Sequence, residues 1–262
     1  MEEPRSLWWP AGWHPQDRLE AYGAPITRLA LTGNALDQAV SDPLARIERL
    51  LSRTLIQPGT NLRIVPITTP ATLPLQSELV IEHPSAPMHR LLSLANTESH
   101  NFTAEVLLRQ AAGRWEGRDA AEAISQWLTE QGLPMQGVRV VDGSGLDRAN
   151  RVTSRFLAAL LLRMDHHPYG RDFLASMAIA GERGTLKKLF VGTPLQGMFR
   201  GKTGTISGVR AISGQLDTAD GIRYVSMVSN GAAAPNSTIQ ELLLAVQRDR
   251  RCNDTGTMAQ VP

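Results

Sequence analysis

Near the end of the chain three strand-like runs of mixed apolar and polar residues, 198–205, 209–216 and 222–228, are separated by short turn segments. Asp220-Gly221 separates the last two as a hairpin turn, so the runs predict an antiparallel meander. The pattern then becomes helical. Ser237-Thr238-Ile239-Gln240 opens a helix whose Ile239, Leu242, Leu243 and Val246 fall on one stripe suited to cover the sheet.

From Met88 to the meander the spacing is helical. Phe102 and Val106, with Leu107 or Leu108, mark one core-facing stripe; Ile124, Trp127 and Leu128 mark another, begun by Asp119-Ala120-Ala121-Glu122 and stopped by Gly132. Residues 138–141 read as a short strand running into the turn Asp142-Gly143-Ser144-Gly145, and 156–162 as a helix apolar nearly all round, hence buried. The segment before Met88 is rich in proline and in β-like runs at 26–31, 62–67 and 78–81. One helix interrupts it, with Asp42 as N-cap, Pro43 at the first helical position and Leu44, Ile47, Leu50 and Leu51 on a stripe. The expected division is a β-rich connecting or inserted lobe over 1–87, a helix-and-sheet domain over 88–247 and a polar tail over 248–262.

Composition narrows the chemistry. With 262 residues, 42% of them apolar, the chain can fill an ordinary core. Net charge is only +2, and the positive charge is nearly all arginine without a basic run, which gives nucleic-acid binding no support. The longest apolar stretch, 156–162, is far below the roughly 18 residues of a membrane span. Cys252 is the single cysteine, so neither an intrachain disulfide nor a cysteine-based zinc site is available. His14, His83, His89, His100, His166 and His167 show no metal-binding spacing, and no cofactor motif is present. Met1-Glu2-Glu3-Pro4 shows no secretory signal.

Two short motifs carry candidate chemistry. Lys202-Thr203-Gly204-Thr205 lies on the first meander strand, where an ammonium and two hydroxyls suit a carboxylate and Gly204 lets another backbone lie alongside. The plain alternative is a surface strand with a chance lysine. A phosphate loop does not fit, because its first glycine would fall at Gln196 and a strand, not a helix, follows. Ser99-His100-Asn101 precedes a helix, so helix capping is its bland reading. Asp142 and Ser144 read as turn formers that shape a cleft, since the Gly-x-Ser-x-Gly pattern is not met.

These motifs, with Tyr22-Gly23-Ala24-Pro25, Asp142-Gly143-Ser144-Gly145-Leu146, Asn150-Arg151-Val152-Thr153 and Gly184-Thr185-Leu186, stand in the order of a known family. The chain resembles a D-alanyl-D-alanine carboxypeptidase/endopeptidase of the penicillin-binding-protein-4 type, class C, peptidase family S13. The resemblance implies an α/β (α+β) fold of the penicillin-binding-protein/β-lactamase-like transpeptidase kind, an antiparallel sheet flanked by helices plus the small β-rich lobe. It implies that Ser99 relays a proton, that Asn101 orients a lysine and the substrate amide, and that Lys202 supplies positive potential. Thr203 would bind a terminal carboxylate beside Gly204, and the Thr205 N–H would be an oxyanion donor. Partners would be peptidoglycan stem peptides ending in D-Ala, with β-lactams in the intact family, at a periplasmic or extracytoplasmic location. His100 departs from the aspartate often found in the middle of the triplet.

One part of the family's signature is missing. Three positions before Lys187, Lys188 and Lys202 stand Gly184, Thr185 and Phe199, so no Ser-x-x-Lys nucleophile motif exists in the chain. Thr185 has the spacing to Lys188 but follows the other motif and is rejected as a nucleophile. The expectation is a fold incomplete at the N-terminus, with the strand at 222–228 left with an unpaired apolar edge, and a chain inactive alone. Two other readings remain, a noncatalytic stem-peptide binding module and a nonfunctional fragment.

Overall fold

Strand-forming residues and a glycine at each hairpin reversal produce the sheet found among the described residues. In this computed structural model, which describes residues 4–55 and 84–249, four antiparallel strands lie in the order β1 (Ala178–Ile179), β2 (Phe199–Ile206), β3 (Val209–Thr218) and β4 (Gly221–Asn230). Gly208 and Gly221 take positive φ, 78° and 108°, at the two hairpin reversals, where a side chain would be strained. The expected meander is therefore present, with β2 shifted by one residue and β3 and β4 slightly longer than their sequence limits. The short β1 carries no periodic signal and was not foreseen.

Seven helices accompany the sheet among the described residues: α1 (Pro43–Leu55), α2 (Met88–Asn96), α3 (Asn101–Ala112), α4 (Gly117–Glu130), α5 (Ser154–Asp165), α6 (Gly170–Ala175) and α7 (Pro235–Arg248). These elements divide between two units. One holds 4–55, 84–87, 100–128 and 139–150; the other holds 88–99, 129–138 and 151–249.

The second unit is built on the sheet. Along β4, Val225 and Met227 pack toward the cluster containing Ile239 and Leu243 of α7, while Tyr224 packs with Leu161 of α5 and Leu174 and Met177. Alternate residues of one strand thus serve opposite faces, with α7 on one and α5 on the other. Ile239 and Leu243 are 7% and 0% exposed, each burial stabilising by about 1.5–3 kcal/mol. Leu242, expected on the same stripe, is instead 48% exposed, and Leu244 takes the packing position. Leu162 of α5 is likewise half exposed, so that helix buries Phe156 and Leu161 on one face and is not enclosed.

Gly201 and Gly214 face each other across β2 and β3, with the Phe199 ring lying over both. A Cβ on Gly201 would stand 2.8 Å from that ring and 2.5 Å from the Ser213 carbonyl, so this crossing admits only glycine. The ring closes the base of the site strand. Beyond it, β1 pairs only with Arg200 and Gly201, and among the described residues no strand adjoins that edge of β2 from Lys202 to Ile206. β4, last in the order, also lacks a second strand partner among the described residues, and its Ile222 is 48% exposed.

The first unit packs around Trp13, Ile26 and Leu146, with Phe102 and Val106 of α3 and Trp115 against them. The Asp42 carboxylate accepts from the Ala45 N–H at 2.9 Å, capping α1 as the sequence implies. Residues 26–31 do not form the expected strand. The Ile26 N–H donates to the Trp8 carbonyl and the Thr27 hydroxyl to the Leu29 carbonyl, so local bonds replace a ladder. The runs at 62–67 and 78–81 lie outside the described residues, as does Cys252. Residues 138–141 are also not a ladder strand; the Val141 N–H is satisfied by the Asn150 side chain at 2.8 Å. α4 begins at Gly117, two residues before the expected box, because Glu116 accepts from the Asp119 N–H at 2.9 Å. Its buried residues are Ala120, Ala121 and Leu128, while Trp127 is 48% exposed.

Candidate active site

β2 delivers Lys202 to its position, and burial sets its chemistry. The Lys202 ammonium donates to the Ser99 hydroxyl at 2.7 Å and to the Thr203 carbonyl at 2.7 Å. Desolvation lowers its pKa from 10.5 to about 8. Ser99 does not cap α3. The capping position belongs to His100, whose side chain makes no cap bond, while the Ser99 backbone takes a left-handed φ of 59°. That conformation is uncommon for serine and costs about 1–3 kcal/mol in general, which the surrounding structure must over-determine.

Thr203 is the second fixed group. Its hydroxyl donates to the Thr185 hydroxyl at 2.9 Å, and the Thr185 N–H donates to the Thr97 carbonyl at 3.1 Å. Gly184 makes that approach possible: φ is 63°, and a Cβ there would fall 2.4 Å from the Thr97 oxygen. Thr97 in turn donates to the Ser176 carbonyl at 2.5 Å, and Asn96 to the Ser176 hydroxyl at 2.7 Å, fixing the end of α2. The sequence offers Thr185 as a motif member and as a rejected nucleophile; its hydroxyl partner on β2 has no signal in one dimension.

A cavity of about 760 Å³ opens beside these groups, lined by Ser99, Thr185, Thr203, Gly204 and Thr205 on its polar side. Leu189, Phe190, Ile212 and Ile239 form apolar wall, and Lys188, Arg210 and Glu241 bring charge. A Cβ on Gly204 would approach the Ala211 methyl at 3.3 Å within the sheet. The division between the units falls inside the triplet, so that Ser99 belongs with Lys202, Thr203, Gly204 and Thr205, and Asn101 belongs to the other unit. There the Asn101 amide donates to the Tyr22 carbonyl at 3.0 Å, and His100 Nδ1 lies 2.7 Å from the Thr103 hydroxyl.

The Asp142 loop is the most densely bonded feature of the first unit. Asp142 is 5% exposed and accepts from Trp13 Nε1 at 2.9 Å, the Gly145 and Asp147 N–H groups at 2.7 Å each, and Asn150 Nδ2 at 2.8 Å. Glu105 of α3, fully buried, accepts from the Gly143 and Ser144 N–H groups at 2.9 and 2.8 Å. Burial first, and the Asp142 charge second, push its pKa up from 4.5 to about 7. The loop-forming reading of Asp142 and Ser144 agrees with this geometry; the buried Glu105 and Arg109 were missed, because they interrupt an otherwise apolar stripe.

Among the described residues no cluster of three or more His, Cys, Asp or Glu is placed to hold a metal, and no helix is long and apolar enough to cross a membrane. A D-alanyl-D-alanine carboxypeptidase from Actinomadura sp. (strain R39) is 29% identical over 242 residues, 87% of this chain and 43% of that protein. Carboxypeptidase DacB of Mycolicibacterium smegmatis is 30% identical over 184 residues, 66% of this chain and 40% of that one. The chain thus spans under half the length of these curated relatives. Penicillin binding protein 4 (dacB) from Haemophilus influenzae superposes with a TM-score of 0.73 at 19% identity, over 90% of this chain and 72% of that chain, a likeness of fold. The model of the D-Ala-D-Ala carboxypeptidase 3 (S13) family matches residues 28–248, and with the α/β transpeptidase-like fold and motif order described, the chain belongs to that family, as a penicillin-binding-protein-4-type member.

Proposed function

We propose that this chain is the substrate-holding part of a serine-type D-Ala-D-Ala carboxypeptidase/endopeptidase that acts on peptidoglycan stem peptides outside the cytoplasm. The observation that carries the reading is the paired arrangement on β2, Lys202 against Ser99 and Thr203 against Thr185, with Ser99, Thr185 and Thr203 at the wall of one cavity. Lys202 supplies the positive potential and the threonine hydroxyls the directional bonds that a terminal carboxylate needs. The edge of β2 from Lys202 to Ile206, unpaired among the described residues, offers main-chain groups to an extended peptide, with the Thr205 N–H as an oxyanion donor. Ser99 passes a proton, and Asn101 orients the substrate amide.

Peptide cleavage by the family's acyl-enzyme route needs a Ser-x-x-Lys, and none occurs in these 262 residues. The same absence favours a second reading, in which the chain binds D-Ala-terminated stem peptides without cleaving them. Both readings demand saturable binding of an acylated D-Ala-D-Ala peptide by titration calorimetry. Lys202→Ala and Thr203→Ala abolish that binding. Unchanged affinity in both variants rejects the site. Release of D-Ala separates the two readings.

A further inference from the structure

The arrangement of Ser99 and Lys202 also suits a chemical step beyond peptide holding. The serine hydroxyl lies 2.7 Å from a buried amine and lines a cavity, on a backbone held in the left-handed region. A strained serine whose hydroxyl points into a pocket, beside an amine that can take its proton, is the working part of a Ser-Lys nucleophile.

We propose that Ser99 is itself a nucleophile toward small activated carboxylic esters, with Lys202 as its general base. In the step, Ser99 Oγ attacks the acyl carbon of an ester such as p-nitrophenyl acetate. The Oγ–carbon bond forms, the bond from the acyl carbon to the p-nitrophenyl oxygen breaks, and p-nitrophenolate departs with the electron pair. The hydroxyl proton passes to Lys202 Nζ, which becomes an ammonium. The inference covers acyl donors whose leaving group departs as a stable anion and does not extend to peptide amides.

The cavity fits a short acyl group, with Leu189, Phe190, Ile212 and Ile239 as apolar wall. Lys188 beside Leu189, Arg210 of β3 and Glu241 of α7 are the charged groups facing it, yet burial alone accounts for the weakened basicity of Lys202. An amine that loses its proton near pH 8 is free to accept one under mildly alkaline conditions.

The test is acetylation of the whole chain by p-nitrophenyl acetate between pH 7 and 9, followed by peptide mapping. One acetyl group should appear on the peptide containing Ser99, and its initial rate should rise about tenfold over that range as Lys202 deprotonates. Ser99→Ala removes that label. Lys202→Arg, which keeps the charge but cannot act as base, slows it by about tenfold or more and flattens the pH profile. Acetyl groups confined to Lys187, Lys188, Cys252 or the terminal amine would overturn the proposal, as would wild-type labelling of Ser99 in a folded Lys202→Arg protein. Loss of the Ser99 label with peptide binding intact by titration calorimetry rejects this inference alone, and loss of peptide binding with the label intact rejects only the peptide-holding reading.

Discussion

Lys202 Nζ stands 2.7 Å from Ser99 Oγ across 103 positions of sequence, and the pair unites two motifs that are each ambiguous alone. A lone Ser-x-Asn before a helix reads as a cap, and a lone Lys-Thr-Gly as a surface strand. The bond shows that the serine serves the strand and not the helix. Burial of the amine makes this contact expensive, which bears directly on stability.

Lys202 loses its proton near pH 8 when folded and near 10.5 when free, so the unfolded chain binds more protons between those values. Folding stability therefore rises with pH from about 8 to 10.5. Below pH 8 the cost of burying the ammonium is fully present. Lys202→Met should raise stability at pH 7 by about 1–2 kcal/mol and remove the alkaline rise, as read by urea unfolding at pH 7, 8.5 and 10.

Glu105 has the opposite consequence. Its folded carboxyl titrates near 7 against 4.5 for a free one, so the folded form binds more protons in that interval and stability falls as pH rises from 4.5 to 7. Glu105→Gln retains an oxygen acceptor for Gly143 and Ser144 and has no charge to bury. Chemical unfolding should show the variant more stable than wild type at pH 8 by roughly 1–3 kcal/mol, with the difference closing toward pH 4.5.

Asp142→Ala takes the acceptor from the Trp13 indole N–H and the Gly145 and Asp147 N–H groups, and removes one of the bonds of the Asn150 amide. The loss should reach about 3–5 kcal/mol, and tryptophan fluorescence should report the loosened Trp13 environment. Asp142→Asn, which keeps one acceptor oxygen, should fall between wild type and alanine.

Gly201→Ala tests the packing beneath the site. The added methyl meets the Phe199 ring and the Ser213 carbonyl, so thermal unfolding should show a loss of about 2–4 kcal/mol. Gly204→Ala, where the nearest atom is a methyl at 3.3 Å, should cost less than half as much.

The meander was legible because its strand-like runs, its Asp220-Gly221 turn and its closing helix all act over short sequence distances. Lys202, Thr203 and Ser99 were legible as motif members; Thr203 and Ser99 line one cavity, and Lys202 reaches Ser99. What failed to show were features set by tertiary contact. Thr185 meets Thr203 only because Gly184 folds back on Thr97, and Glu105 is buried by a loop almost forty residues away. Residues 26–31 have strand-like composition, but Trp8 takes the Ile26 N–H, and composition does not reveal that competition. The outward turn of Trp127 and Leu242 reflects how few degrees of helix face separate a buried position from an exposed one.

The central claim is that β2 holds a terminal carboxylate through Lys202 and Thr203. Titration calorimetry comparing an acylated D-Ala-D-Ala peptide with its C-terminal amide tests it most directly. The account predicts saturable binding of the free acid and at least about tenfold weaker binding of the amide, whose terminus carries no charge. Equal affinity for the two peptides would contradict it.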